Sequence, residues 1–328
     1  MTRFDELQSR IAQIGLAHHA DTILANSQRN ARHIRQTIRD VVPDPRPCLV
    51  VSAGPSLYRE RILSRMAGFT GCVVATDGAY IQCLKAGIVP DWVVTIDPHP
   101  TRIVRWFGDP DLEENQHGDD YFARQDLDID FRENSARQNA ANIEAVDLHP
   151  VNLAIATSAP ANVVARTAPF NRYFFSPLVD TPVRGSLTRQ ICEATGAPAL
   201  NTGGTVGTAA YLFARGCLRS EKLAVVGMDF GYYPDTPLEQ TQEWNMLRAE
   251  PDVRDFYPER VGYWGVGYTS PTYHYYLENF LSLLDGERVT NCSGGGFLLG
   301  KNVDCMEIED WLLTTTKTIQ RPRRGCAS

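Results

Sequence analysis

Nothing in this chain approaches the ~18 consecutive apolar residues that a membrane-spanning helix needs, so no span is expected. The opening residues, MTRFDELQSRIAQIG, carry charge throughout and lack the apolar core of a secretory leader, so none is expected either. The eight cysteines include no CxxC pair, and several sit inside apolar runs. That argues against a zinc knuckle or a disulfide framework, and for small core residues in a reducing cytoplasm. HExxH is absent, which removes the common zinc hydrolase helix. There is no GxxxxGK[ST], and no GxGxxG follows the first strand, so neither a P-loop nor a dinucleotide fingerprint is present. A net charge of −7 with no basic stripe makes a nucleic-acid partner unexpected. Asp126-Leu127-Asp128-Ile129-Asp130 starts like a calcium loop, but Phe131 stands where the turn glycine belongs and Arg137 where the closing acid belongs.

What is present reads as alternating strand and helix. With 328 residues, 43% of them hydrophobic, the chain can build a full core. Short apolar runs of the kind buried on both faces recur at 48–52, 72–76, 92–96, 151–157, 173–175, 223–227 and 288–292. Helical stretches near 56–67, 79–86, 160–168, 186–195 and 204–215 separate them, and a closing helix is expected around 305–314. This order predicts an α/β fold with a mainly parallel sheet and helices on both faces. Residues 1–45 read as an N-terminal helical appendage, a helix pair with Asp21 capping the second, tied on by the stiff Pro43–Pro47 link. The main domain then runs 46–316, followed by a tail at 317–328. Two insertions interrupt it, near 109–150 and 231–276. The first opens with ten acidic and two basic residues over 109–133, which reads as a solvated excursion. The second is rich in tyrosine and tryptophan, suited either to a pocket wall or to a satellite core.

The organising stretch is CLVVSAGPSL, residues 48–57. A buried strand breaks into Gly54-Pro55-Ser56, a helix start that gathers free backbone N–H groups and makes an anion site. In open parallel sheets, ligands bind beyond the carboxyl ends of the strands. Those ends carry Asp77-Gly78, Asp97-Pro98-His99, Thr157-Ser158 and Met228-Asp229. Each aspartate alone reads as a helix cap. Together, Asp77, Asp97 and Asp229 predict one polar site with roles in metal binding, ribose contact or proton transfer. Gly203-Gly204-Thr205, before an apolar helix, allows close approach to a ligand, and Ser293–Gly296 is a similar candidate. His99 follows a strand end and is the candidate for proton transfer. His274 reads as a packed residue, and His18, His19 and His33 as helix-surface residues.

Six segments in order, SAGPSL, TDGAY, PDWVVTIDP, TGGTVGTAAYLFARGC, VVGMDF and TNCSGGGFLLG, resemble the motility accessory factors. These are flagellin glycosylation proteins grouped with the archaeal 6-hydroxymethylpterin diphosphokinases, the MptE-like family. The resemblance spans about residues 25–312. It implies a Rossmann-like core similar to bacterial sialyltransferases. It also implies nucleotide binding at Gly54, Pro55, Ser56, Asp77, Gly78, Asp97, Gly203, Gly204 and Thr205, and a site aspartate at Asp229. Ser158 joins this set from its strand end.

Three functions stay open at this point. One is a glycosyltransferase using a nucleotide-activated sugar such as a CMP-linked nonulosonic acid, with His99 or an aspartate taking the acceptor proton. Another is an ATP-dependent diphosphokinase acting on a pterin alcohol, in which Asp97 and Asp229 would hold Mg²⁺ across the phosphates. The third is a nucleotide-binding accessory protein without turnover. The expected partner is a nucleotide or nucleotide-sugar.

Overall fold

A computed structural model describes residues 2–112, 131–241, 243–263, 265–284 and 286–319. The chain enters as one long helix, α1 (Arg3–Asn30), and reaches the first strand, β1 (Cys48–Val51). Two short helices follow, α2 (Pro55–Arg59) and α3 (Ile62–Arg65). Then come β2 (Cys72–Thr76), α4 (Asp77–Lys85), β3 (Trp92–Thr95), α5 (Ile103–Trp106) and α6 (Phe131–Leu148). The alternation continues through β4 (Asn152–Ala156), α7 (Ala161–Arg166), β5 (Asn171–Leu178), α8 (Leu187–Thr195), β6 (Ala199–Asn201), α9 (Val206–Gly216) and β7 (Leu223–Val226). After α10 (Trp244–Leu247), a small antiparallel hairpin of β8 (Glu259–Gly262) and β9 (Gly265–Tyr268) leads into α11 (Pro271–Leu283). The chain closes through β10 (Val289–Asn291), β11 (Val303–Cys305) and α12 (Ile308–Ile319).

Nine strands form one sheet in the order β11-β10-β7-β1-β2-β3-β4-β5-β6, and every pair in it is parallel. The central strands are buried along their whole length, which is why they read as unbroken apolar runs. The two-residue strand period splits them between two cores. Leu49, Val51, Val73 and Ala75 pack with Leu57, Ile62, Tyr80 and Phe107 on one face. Cys48, Val50, Cys72 and Val74 pack with Ala209, Phe213 and Phe280 on the other. From β1 the chain steps outward to β6, then returns to the far side of β1 with β7. The order therefore reverses between β1 and β7, where a wound sheet opens its ligand crevice.

Several sequence expectations need correction. The N-terminal helix pair is a single helix that runs through Asp21. No proline interrupts residues 3–30, and neither a lone glycine (Gly15) nor an aspartate by itself stops a helix. This helix is also pinned to the exit of β4. Asn26 Nδ2 donates to the carbonyls of Pro98 (3.2 Å) and Ser158 (2.9 Å), and Asn30 Nδ2 to those of Thr157 (2.8 Å) and Ala159 (2.7 Å). Asn30→Ala would leave two buried carbonyls unpaired, so it is expected to cost about 2–4 kcal/mol. Urea unfolding measures this, and an unchanged midpoint would remove the pinning role.

The helix expected over 56–67 is broken at Arg61, whose φ of +53° is left-handed. The edge strands β6 and β11, whose residues are exposed or half-buried, carry no apolar run to be seen in sequence. The acidic excursion falls largely at 113–130, outside the described residues, and α6 occupies the rest of that insertion. The aromatic insertion does both of its expected jobs. Tyr232, Phe256, Tyr257 and Tyr268 build a satellite core with Leu247, while Tyr273, Tyr275 and Tyr276 face a cavity. Among the described residues, no helix is long and apolar enough to cross a membrane.

Candidate functional site

Two adjoining cavities open along the carboxyl edge of the sheet. The larger, about 710 Å³, lies over the ends of β3 to β6 and is walled by α1 and α11. The smaller, about 220 Å³, lies over the ends of β1, β2 and β7. Asp77, Arg102, Trp106, Thr205, Val206 and Tyr273 border both, so the two are lobes of one crevice.

The expected site residues gather here. Asp97, His99, Ser158, Gly203 and Gly204 line the larger lobe. Gly54, Pro55, Gly78 and Asp229 line the smaller, with Asp77 and Thr205 at the junction. Ser56 lines neither lobe. It is fully buried behind Asp229, to which it is bonded. The candidate Ser293–Gly296 lines neither lobe as well. Gly296 instead packs on the backbone of Asp229, and a Cβ there would fall 2.5 Å from Asp229 Cα.

Asp229 does not project freely. The amide and hydroxyl of Ser56 each donate to one of its carboxylate oxygens at 2.6 Å. The start of α2 is therefore filled by an internal carboxylate, where the sequence suggested an open anion seat. The turn that aims Asp229 needs Gly227, because its φ is +70° and a Cβ would lie 2.1 Å from the Ser52 carbonyl. Burial pushes the Asp229 carboxyl up to about 6, against the opposing pull of Ser56.

Asp77 opens α4 at the end of β2. Thr95 Oγ1 donates to Asp77 Oδ2 and the Gly78 amide to Oδ1, both at 2.7 Å. Burial nevertheless raises its pKa to about 7. Asp97 pairs with Arg102 and accepts the His99 amide at 2.8 Å. His99 Nε2 lies 3.2 Å from His19 Nδ1, so one ring donates to the other. His19 thus belongs to the cavity wall and is not a bystander on a helix surface. His274 behaves as expected, packed on Phe4 and paired with Glu278 at 3.3 Å.

Asp97 and Asp229 border different lobes, and both are already held by protein donors. As placed, this donor set does not fit one divalent cation shared between them. Among the described residues, the cluster with metal-ligand spacing is Asp44, Cys72 and Asp91 at the opposite edge of the sheet. There the Arg46 guanidinium bonds both carboxylates at 2.6 Å and supplies the positive charge itself.

Sequence reading missed Arg102 and Arg105, which bring positive charge to the crevice. The available signal was a pair of arginines three residues apart just after Asp97-Pro98-His99. Tyr276 packs against Gly204, whose φ is +87° and whose Cβ would strike the ring at 2.5 Å. Burial pushes the Tyr276 hydroxyl up to about 12, so it stays a neutral donor.

Comparison with known proteins agrees with this architecture. Residues 21–107 match the model of the 6-hydroxymethylpterin diphosphokinase MptE-like family. No curated protein matches the chain. Among solved structures, the chain is similar in fold to the MAf glycosyltransferase from Magnetospirillum magneticum AMB-1, with a TM-score of 0.52 and 15% identity. That likeness covers 92% of this chain but only 42% of the other protein, so the chain spans less than half of that protein's length. The resemblance is thus met in sequence over residues 21–107, which hold three of the six motifs, and in fold over nearly the whole chain.

Proposed function

We propose that this chain is a glycosyltransferase-like enzyme that binds a nucleotide-activated sugar, of the CMP-nonulosonic acid class, and serves surface or flagellar glycosylation in the cytoplasm. The observation that carries the reading is the two-lobed crevice along the carboxyl edge, whose smaller lobe sits at the reversal between β1 and β7. One lobe is small and bordered by Asp77, Arg105 and Asp229, while the other is large, walled by tyrosines and bordered by a histidine pair. The larger lobe alone lies in the range that accepts a whole small-molecule ligand, roughly 300–1,000 Å³. The two lobes together give room for a donor and an acceptor side by side. The similarity in fold to a protein described as a glycosyltransferase supports the same reading.

In the transfer, the bond from the sugar's anomeric carbon to the phosphate oxygen breaks, and its electron pair leaves with the nucleotide. The acceptor oxygen bonds the anomeric carbon and gives up its proton. Arg102 and Arg105 border the space where the leaving phosphate gains charge. His99 stands in the larger lobe as the base, held from behind by His19 and with its amide on Asp97. Asp97→Asn removes the negative charge paired with Arg102 and is expected to lower turnover about tenfold or more, with little change in melting temperature. Equal turnover in that variant would remove Asp97 from the machinery.

The family match over residues 21–107 favours one other reading, a magnesium-dependent diphosphokinase acting on a pterin alcohol. Thermal shift separates the two. Cytidine nucleotides are expected to raise the melting temperature more than adenine nucleotides do. A larger shift with ATP, together with magnesium-dependent AMP release on a hydroxymethylpterin, would transfer the assignment to the kinase. Binding without transfer or hydrolysis of a CMP-sugar would leave an accessory nucleotide-binding role.

A further inference from the structure

Phosphate seats at this edge of a wound sheet form at helix starts. The α2 start is spent on Asp229, and that helix has only five residues. The α9 start is different. α9 has eleven residues, and the amides of Val206 and Gly207, its first two, precede any intrahelical acceptor. The Thr205 hydroxyl takes the next amide, that of Thr208, at 3.1 Å. All three of Thr205, Val206 and Gly207 line the smaller lobe.

A second observation points to a ligand at the same place. Ser52 is 6% exposed and Thr76 is 1% exposed, and neither hydroxyl has a hydrogen-bond partner. Both residues line the smaller lobe, at the ends of β1 and β2. Ser52 Oγ lies against the α9 start, since a Cβ on Gly207 would stand 3.0 Å from it. A buried hydroxyl left unpaired costs free energy, and such groups in native proteins call for an explanation. Here two of them share a small lobe with open helix amides and with Arg105.

We propose that the smaller lobe seats the phosphoryl group of the nucleotide, with the Val206 and Gly207 amides and the Ser52 and Thr76 hydroxyls donating to its oxygens. The identity of the ligand rests on the nucleotide-sugar reading above. The position does not, because it follows from the open amides and the unpaired hydroxyls. It moves the phosphate from the Gly54-Pro55-Ser56 turn to α9 and leaves the larger lobe for the transferred sugar and its acceptor.

The test is calorimetric titration of the full chain with CMP and with cytidine, which differ only in the phosphoryl group. Ser52→Ala is expected to weaken CMP roughly tenfold or more while leaving cytidine unchanged. The same variant is expected to melt, without ligand, at or above the wild-type temperature, because it deletes an unpaired buried hydroxyl; a purely structural serine would lower it. Gly207→Ala crowds Ser52 Oγ and is expected to show the same selective loss. The proposal is overturned if Ser52→Ala keeps the wild-type ratio of CMP to cytidine affinity, or weakens both ligands equally. Should UMP or AMP bind in place of CMP and lose its advantage over its own nucleoside in Ser52→Ala, the seat stands and the cytidine assignment falls. If no nucleotide binds at all, both fall.

Discussion

Asp229→Ala is expected to lower the free energy of unfolding by about 3–4 kcal/mol and to abolish nucleotide binding with it. The carboxylate takes two bonds of 2.6 Å from Ser56, one from its amide and one from its hydroxyl, and all these groups are buried. Alanine would leave both donors without an acceptor and uncap α2. It would also loosen the wall of the smaller lobe beside the proposed phosphate seat. Asp229→Asn keeps one acceptor oxygen and is expected to cost less than alanine. Denaturant unfolding of the two variants beside wild type measures the difference. Wild-type stability in Asp229→Ala would show that Ser56 finds another acceptor and that Asp229 is not structural.

Asp77→Asn is expected to do the opposite, stabilising the ligand-free chain at neutral and alkaline pH. The Asp77 carboxyl is raised by burial from 3.8 to about 7, and that of Asp229 from 3.8 to about 6. For an acid whose folded pKa lies above its unfolded value, the folded state holds the extra proton between the two values. Stability is then full below about pH 4 and falls as pH rises through the folded pKa. Asp77 alone accounts for a loss on the order of 4 kcal/mol across roughly pH 4 to 7, taking each pKa unit at about 1.4 kcal/mol. Asparagine has no proton to lose, and its carbonyl can still accept from the Gly78 amide while the Thr95 hydroxyl turns to accept from its NH₂. The unfolding free energy of Asp77→Asn should therefore vary less with pH in that window, with the gap between the two proteins opening from about pH 4 and levelling off above about pH 7. Parallel curves would mean that Asp77 titrates in the folded chain as it does in the unfolded one.

Both predictions depend on burial, and burial divides what was legible from what was not. The strands announced themselves because a strand covered on both faces must be apolar at every position, as Cys48–Val51 and Leu223–Val226 are. The strand ends announced themselves too, since Asp77, Asp97 and Asp229 break apolar runs where a wound sheet places its ligands. The edge strands β6 and β11 did not, because their residues are exposed or half-buried and so leave no apolar run to detect.

By itself, then, the sequence determined the fold class and the carboxyl edge of the sheet as the place where its candidate residues gather, both properties of local pattern. Tertiary structure alone decided which of those groups are open to a ligand. Asp229 is held by Ser56 across 173 residues, and His99 meets His19 across 80. No local pattern records such a pairing. Short polar side chains look alike in sequence whether they face a cavity or one another, and only the packing that sets their distances tells the two apart.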